Sequence, residues 1–472
     1  MVQSSNFGYL YIYLWEWLAL PFYVIIIYFI SRAHQRRKIK DNPVYEYYQK
    51  GLMLKILGGI AFALIYYYYY QGGDTFMYFE SSMTMKNLML NSFSSFVKNE
   101  FGGASMENFA LFNSNTGYPM VYMYNDPQTF SVIRLVTPIV LLSFSGYLIS
   151  TVLLAWLSYA GLWKLFLVFT EYYPHLKKQL FIAILCFPSV IFWGSGILKD
   201  TITLSSSGWV VYCIYKIFIV RKSILRYLLL FIPFSLIILS IKPYIIFALL
   251  PGSLMWIFSN RVYRIRNTLI RIMVIPMIFI VCLTGGYFIM KNLGKYMGKF
   301  SIDRVSTTAK VIETDLKKDY YGGHSFDIGT FENTPSGYLK IFPKAFVAGA
   351  YRPFIWESGN IVMLISGIEN AFLLYLTFLT LRRVGFRIFK RLFKEPLLFF
   401  AFSYSVFFAF AVGLTTSNFG ALVRFKIAYL PFFTACLYIL SWKEKYSEET
   451  ETSLNEINTS YSTNPQISTA GY

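Results

Sequence analysis

The stretch of chain that decides the fold covers residues 52–74 and reads LMLKILGGIAFALIYYYYYQGGD. Apart from Lys55, residues 52–70 are apolar, small or aromatic, and they are long enough to form a helix that crosses a bilayer. Two glycines then interrupt the helical pattern, and Asp74 follows them. We therefore predict a membrane-spanning helix that brings an acidic side chain to one surface of the membrane.

The composition of the whole chain also indicates a membrane protein. Of the 472 residues, 56% are hydrophobic and only 14% are charged, whereas soluble proteins carry about 25% charged residues. We predict an all-α fold, a polytopic transmembrane helical bundle of about eleven spans. The predicted spans lie near residues 9–30, 52–70, 132–157, 180–197, 201–220, 226–241, 244–259, 270–290, 360–381, 396–414 and 425–442.

The basic residues predict the orientation of these spans. The formal net charge is +19, and the Lys and Arg residues cluster in short loops between apolar runs, as they do on the cytoplasmic side of membrane proteins. We therefore place the N-terminus outside and the C-terminus in the cytoplasm. The chain has no Lys/Arg stripe with stacking aromatics on a soluble domain, so nucleic acid is not a predicted partner. The clusters are residues 32–40, 177–178, 216–226, 261–271 and 382–394.

Residues 1–445 form one predicted transmembrane domain with two long outer segments, 71–130 and 291–358. Residues 446–472 begin acidic and then become rich in Ser, Thr and Asn, which predicts a disordered cytoplasmic tail. Residues 161–178 repeat large apolar side chains at helical spacing, which predicts an amphipathic helix at the inner surface. The cysteines lie inside apolar spans and the histidines are scattered, so we predict no zinc or haem site.

Four basic residues lie at predicted outer ends of spans, where the orientation rule does not expect them. Lys199, Lys242, Arg352 and Arg424 reach the same predicted face of the membrane as Asp74. Cations that converge on one surface favour an anionic ligand, and phosphate suits both Arg and Lys. The alternative is that each cation reaches the lipid headgroups or forms a local ion pair, as Lys199 would with its neighbour Asp200.

Asp74 also has a simple structural interpretation. An Asp before a helix is a good N-cap, and residues 75–85 have the character of a helix on the outer surface. Tyr78, four residues further on, would share a helix face with Asp74. Capping and a chemical role are compatible with each other.

Glu369 lies near the centre of the predicted span 360–381. An ionisable residue at this depth suggests ion or proton movement. The alternative is a protonated carboxyl group that is hydrogen-bonded between helices.

Four short motifs together resemble the GT-C superfamily of polytopic membrane glycosyltransferases, in its bacterial branches. Each motif combines charged residues with glycine, proline or aromatic residues near the end of a span. They are Gly72-Gly73-Asp74 after an early span, Pro188-Ser189 before the pair Lys199-Asp200, the turn Lys242-Pro243-Tyr244, and Arg424-Phe425 before Pro431.

This resemblance implies an enzyme of the bacterial inner membrane. Such an enzyme moves a sugar from a polyprenyl-phosphate-linked donor to a cell-envelope glycan or lipid acceptor. The resemblance implies that Asp74 acts as the catalytic base, and inversion by a single displacement is the simplest mechanism. The first outer segment has no paired acid beside Asp74, which leaves a divalent cation open. The predicted substrate-binding residues are Tyr78, Lys199, Asp200, Lys242, Arg352 and Arg424.

Two other functions remain open at this stage. A polysaccharide polymerase or ligase of the O-antigen type would depend most on Arg352 and His324. A transporter or flippase for lipid-linked saccharides would depend on Glu369 and on the interiors of the spans.

Overall fold

The computed structural model describes residues 10–263, 273–274, 277, 280–281, 284, 325–329, 332, 334–385 and 387–442. Three predictions fall wholly or largely outside these residues. They are the span at 270–290, most of the outer segment 291–358 with His324, and the tail 446–472.

The described part of the chain is all-helical, as predicted, and it contains no β-strand. One isolated antiparallel bridge joins Ser325 to Asn418. Two π-helical turns, Tyr66–Tyr70 and Tyr215–Val220, extend α2 and α11. The helices are α1 (Leu14–Lys38), α2 (Tyr48–Ile65), α3 (Asp74–Asn91), α4 (Phe93–Phe101), α5 (Met106–Phe109), α6 (Val121–Asn125), α7 (Pro127–Leu142), α8 (Tyr147–Tyr172), α9 (Lys177–Leu185), α10 (Pro188–Trp193), α11 (Lys199–Ile214), α12 (Ile224–Ile241), α13 (Tyr244–Tyr263), α14 (Pro335–Tyr351), α15 (Ile361–Val384), α16 (Arg387–Lys394), α17 (Pro396–Thr415), α18 (Phe419–Lys426) and α19 (Leu430–Ser441).

Among the described residues, seven helical segments are long and apolar enough to cross a membrane, or eight if the bent pair α18 and α19 counts as one span. The axes of that pair differ by 65°. The described part of the chain is therefore helical with several membrane-spanning candidates, and the expected count of about eleven spans is not confirmed. The seven segments contain α1, α2, α8, α11, α12, α15 and α17.

Two predicted spans are each divided into two helices. Pro188 begins α10, and because proline has no N–H to continue the preceding helix, α9 ends before it. Phe144 and Ser145 have positive φ angles of 51° and 65°, so α7 and α8 are separated there. The prediction of a separate inner-surface helix at 161–178 is wrong. The first part of this segment belongs to the long helix α8, and the apolar residues of that part are buried in the bundle.

Burial distinguishes the centre of the bundle from its edge. The apolar windows of α8 and α11 are 78% and 72% buried, whereas those of α1 and α12 are only 17% and 11% buried. The helices α8 and α11 therefore form the interior, and α1 and α12 present apolar surface outward. In a membrane that surface faces lipid.

Glycines let α8 and α11 approach closely. A Cβ atom on Gly208 would lie 2.1 Å from the carbonyl oxygen of Gly161, and one on Gly161 would lie 1.9 Å from the carbonyl oxygen of Ser205. Small residues at helix crossings are the usual route to tight packing in membranes. Any side chain at these positions has to push two backbones apart.

We expect Gly208→Ala to destabilise the protein by about 1–3 kcal/mol, the usual cost of overpacking. Thermal unfolding of the purified protein measures this change. Gly103→Ala is the matched control, because a Cβ there meets nothing within 4 Å. Equal unfolding temperatures for the two variants would contradict the close approach of α8 and α11.

Candidate functional site

Asp74 opens helix α3. The π-helical turn at the end of α2 stops at Gln71, which has a φ angle of 49°, and Gly73 has a φ angle of 107°. Gly73 is the N-cap residue, and no side chain caps this helix end. The prediction of a helix after Asp74 is confirmed, but the prediction that Asp74 caps it is wrong. The Asp74 side chain is 48% exposed and free to interact elsewhere.

Arg424 joins Asp74 to Asp200. Its Nη1 atom donates a hydrogen bond to Oδ2 of Asp74 at 2.8 Å, and its Nε atom donates to Oδ2 of Asp200 at 2.7 Å. The short helix α18 carries Arg424, and the side chain of Asn418 caps the start of that helix. One guanidinium group therefore holds two carboxylates by charge-assisted hydrogen bonds.

Lys242 completes this arrangement from the turn between α12 and α13. Its Nζ atom donates to Oδ1 of Asp200, and it lies 4.7 Å from the ring centroid of Phe425. Burial by itself would lower the pKa of Lys242, but the attraction of Asp200 outweighs burial and raises that pKa above its ordinary value. Lys242 therefore remains charged.

We call Asp74, Asp200, Lys242 and Arg424 the ion cluster. The side chain of Asp200 is 1% exposed and that of Lys242 is 8% exposed, whereas Arg424 is 16% and Asp74 is 48% exposed. The exposed carboxylate thus lies above a buried ion pair. Two acids and two bases leave the ion cluster with no net charge.

Tyr78 lies on α3 and is 2% exposed. Burial raises the pKa of its phenol well above the ordinary value, and the charge of Asp74 raises it further. Tyr78 therefore keeps its proton beside the ion cluster, consistent with the shared helix face that the sequence predicts.

Lys199 forms a separate ion pair with Asp126. Its Nζ atom lies 3.5 Å from Oδ2 of Asp126 and donates to Oγ1 of Thr129 at 2.6 Å. Asp126 is a residue that the sequence argument missed. The only local signal was the sequence Asp126-Pro127, which is typical of a helix start.

Arg352 is also paired, but not with the ion cluster. Its Nε atom donates to Oε1 of Glu357 at 2.9 Å. Its guanidinium carbon lies 4.5 Å and 5.5 Å from the ring centroids of Phe326 and Phe419. The structure therefore brings Lys242 and Arg424 together with Asp74, and places Arg352 in another environment. Each of the four predicted cations lies in an ion pair within the chain.

Two buried ionisable residues hold the short helix α10 at its ends. Oε2 of Glu369 accepts a hydrogen bond from the backbone N–H of Ser189 at 2.6 Å, in the first turn of α10. Lys55 donates to the carbonyl oxygen of Gly194, just after the last turn. An acid at the N-terminus and a base at the C-terminus both suit the helix dipole. Because α10 leads directly to Lys199 and Asp200, these contacts position one side of the ion cluster.

Lys426 is a third buried ionisable residue near the site. Its Nζ atom donates to the carbonyl oxygen of Arg352 and to Oδ1 of Asn370, both at 2.8 Å. Nδ2 of Asn370 in turn donates to the carbonyl oxygen of Pro353. These contacts fasten α18 to the turn that carries Arg352.

Within the described ranges, no group of three or more His, Cys, Asp or Glu residues is arranged to hold a metal ion. Comparisons of the chain with protein-family models, with curated proteins and with solved structures found no match.

Proposed function

We propose that this protein is a membrane glycosyltransferase. It transfers a sugar from a polyprenyl-phosphate-linked donor to a cell-envelope glycan or lipid acceptor. The reaction takes place at the end of the bundle that carries Asp74, which is the outer face in the orientation that the basic loops predict. In this proposal the protein crosses a bacterial inner membrane about eleven times, with its C-terminus in the cytoplasm.

The observation that supports this proposal best is the state of the Asp74 carboxylate. Arg424 holds its Oδ2 atom, and within the described part of the chain no donor occupies Oδ1. The side chain is 48% exposed and belongs to a helix that follows a membrane-spanning segment. A carboxylate in this position can accept a proton from a hydroxyl group that approaches from the surface.

The neutral charge of the ion cluster determines how an anionic donor can bind. A sugar joined to a polyprenyl chain through one phosphate carries one negative charge. We propose that this phosphate replaces Asp74 on Arg424, so that the guanidinium group keeps two anionic partners. Arg424 keeps Asp200 as its second partner, and the Asp74 carboxylate is released toward the acceptor.

The transfer itself is a single displacement. The acceptor hydroxyl oxygen bonds to the anomeric carbon while the bond from that carbon to the phosphate oxygen breaks. The bonding electrons leave with the polyprenyl phosphate, and the hydroxyl proton moves to Asp74. The leaving phosphate gains negative charge as Asp74 loses it, and Arg424 with Lys199 stabilises that developing charge.

Burial separates the proposed roles of the other residues. Asp200 and Lys242 are almost fully buried, which favours a positioning role under Arg424 over direct contact with substrate. Lys199 is 15% exposed and remains a candidate for the phosphate. Tyr78 keeps its proton and can donate a hydrogen bond near Asp74. Arg352 pairs with Glu357, outside the ion cluster. We therefore expect it to affect the transfer only if the bound donor extends past α18 to the Arg352 side chain.

The proposal is tested by a release assay. The purified protein is reconstituted in vesicles and supplied with polyprenyl-phosphate donors that differ in their sugar. We expect free polyprenyl phosphate to appear with at least one donor when an envelope extract supplies the acceptor. Movement of intact donors across the vesicle membrane with no release from any of them would favour a transporter instead.

The buried carboxyl group of Glu369 is the observation that favours a transporter as the second candidate. We expect Glu369→Gln to retain most activity, because the amide oxygen of Gln can still accept the hydrogen bond from the Ser189 N–H. Glu369→Leu removes that acceptor and should lower activity by misplacing α10. Release assays on both variants measure this. A complete loss in Glu369→Gln would indicate that the proton of Glu369 has a function and would favour transport.

A further inference from the structure

A group of cations gathers at the end of the bundle opposite the ion cluster. Helix α11 begins at Lys199, beside Asp200, and Lys216 lies in its π-helical extension, about 24 Å from Asp200 along the helix axis. Lys164 of α8 lies at the same end. Residues 221–223 connect this extension to α12, and Arg226 lies in the first turn of α12.

Two ammonium groups share one aromatic ring at this end. Nζ of Lys164 lies 4.8 Å from the ring centroid of Tyr212 and 5.2 Å from that of Trp209. Nζ of Lys216 lies 5.5 Å from the Tyr212 centroid. We call these four residues, Lys164, Trp209, Tyr212 and Lys216, the basic aromatic pocket.

The charges of the pocket are not balanced. Lys164 experiences repulsion from Lys216, Arg226 and Lys38. The described residues place a carboxylate in ion-pair contact with only one of these four cations, since Lys216 lies 3.5 Å from Glu171. The Lys164 ammonium group lies over the Trp209 and Tyr212 rings, and within the described residues no carboxylate pairs with it. Aromatic rings stabilise a cation only in part, so four clustered cations at a membrane surface favour the binding of an anion.

The position of the pocket indicates which anion can reach it. Trp209 stacks on Phe234 of α12 with the ring centroids 5.1 Å apart. The apolar window of α12 is only 11% buried, so this helix presents its surface to lipid. Trp209 therefore lies against a lipid-facing helix, where a phospholipid with its acyl chains along α12 can bring its headgroup to these cations.

We propose that the basic aromatic pocket binds the phosphate of an anionic phospholipid, with Lys164 as its central contact. This site is independent of the proposed glycosyl transfer. It lies at the opposite surface of the membrane and uses none of the residues of the ion cluster.

The test is binding of defined lipids to the purified, delipidated full-length protein. Phosphatidylglycerol, phosphatidylcholine and inorganic phosphate are the three probes, read by native mass spectrometry and by the unfolding temperature. We expect phosphatidylglycerol to bind at least about tenfold more tightly than phosphatidylcholine and to raise the unfolding temperature. Lys164→Met should weaken phosphatidylglycerol binding by about tenfold, since a hydrogen bond to a charged group is lost.

The matched control is Lys178→Met, because Lys178 is an exposed lysine outside the pocket and should bind lipid as the unchanged protein does. In phosphatidylcholine alone, Lys164→Met should be no less stable than the unchanged protein, because it removes a repelled charge. Unchanged phosphatidylglycerol binding in Lys164→Met, or no preference over phosphatidylcholine, would overturn the proposal. Stabilisation by inorganic phosphate with no lipid preference would also overturn it.

Discussion

Asp74→Asn should lower glycan transfer by about 10²–10⁴-fold, the usual contribution of a general base. Asn has nearly the same shape and its amide oxygen can still accept the hydrogen bond from Arg424, so the fold of α3 and α18 should be retained. What is lost is the ability to take a proton from the acceptor. The measurement is the rate of polyprenyl phosphate release in vesicles, with the amount of inserted protein determined in parallel.

Two further variants make this prediction specific. Glu107→Gln neutralises an exposed acid of the same segment and should leave the rate unchanged. Asp74→Glu retains a carboxylate and should keep part of the activity. The activity should be lower than in the unchanged protein because the extra methylene shifts the carboxylate. A fully active Asp74→Asn protein would show that Asp74 is not the base, whatever its role in holding Arg424.

Asp200→Asn should destabilise the protein by about 3–5 kcal/mol. The Asp200 side chain is 1% exposed, and its carboxylate forms ion pairs with both Lys242 and Arg424. Removal of its charge leaves the buried Lys242 with no carboxylate partner and Arg424 with Asp74 alone, and an uncompensated buried charge is among the costliest single changes in a protein interior. The unfolding temperature of the purified protein measures the effect, together with the yield of folded protein.

A second substitution separates loss of charge balance from loss of shape. Lys242→Met in the Asp200→Asn background removes one uncompensated cation and should restore part of the lost stability. Asp126→Asn is the matched control, because the Asp126–Lys199 pair is 24% and 15% exposed and pairs of that kind contribute about 0–1 kcal/mol. If Asp200→Asn were as stable as the unchanged protein, the buried network would not hold the site together.

Much of the local structure was readable from the sequence. The run of apolar residues before Gly72 predicted a membrane-spanning helix, and the region after Asp74 predicted another helix; both are present. The interhelical hydrogen bond of Glu369 was also among the alternatives, and Ser189 is its donor. These features depend on composition and on periodicity over one or two turns, which a single sequence records directly.

The partners within the site could not be predicted in the same way. Arg424 meets Asp200 and Asp74 across 224 and 350 residues of chain, and no spacing rule connects such positions. The breaks in two predicted spans were hidden for a different reason. Phe144 and Ser145 adopt left-handed backbone conformations that their residue types do not favour. The hydropathy pattern therefore predicted one span at 132–157, where the structure has the two helices α7 and α8.

The neutral charge of the ion cluster changes what the site residues imply. From the sequence, four cations at one surface favoured a site that attracts phosphate by excess positive charge. In the structure each of those cations already has a carboxylate partner. In the proposed function an anionic donor therefore exchanges with a carboxylate on Arg424, and Asp74 is the more exposed of its two partners.

The most direct test of this exchange is a structure of the protein with a bound polyprenyl phosphate. We predict that the phosphate lies within hydrogen-bonding distance of Arg424, that Lys199 contacts it, and that the hydrogen bond between Arg424 and Asp74 is broken. A phosphate bound elsewhere, with that hydrogen bond intact, would contradict the proposed site and the proposed role of Asp74.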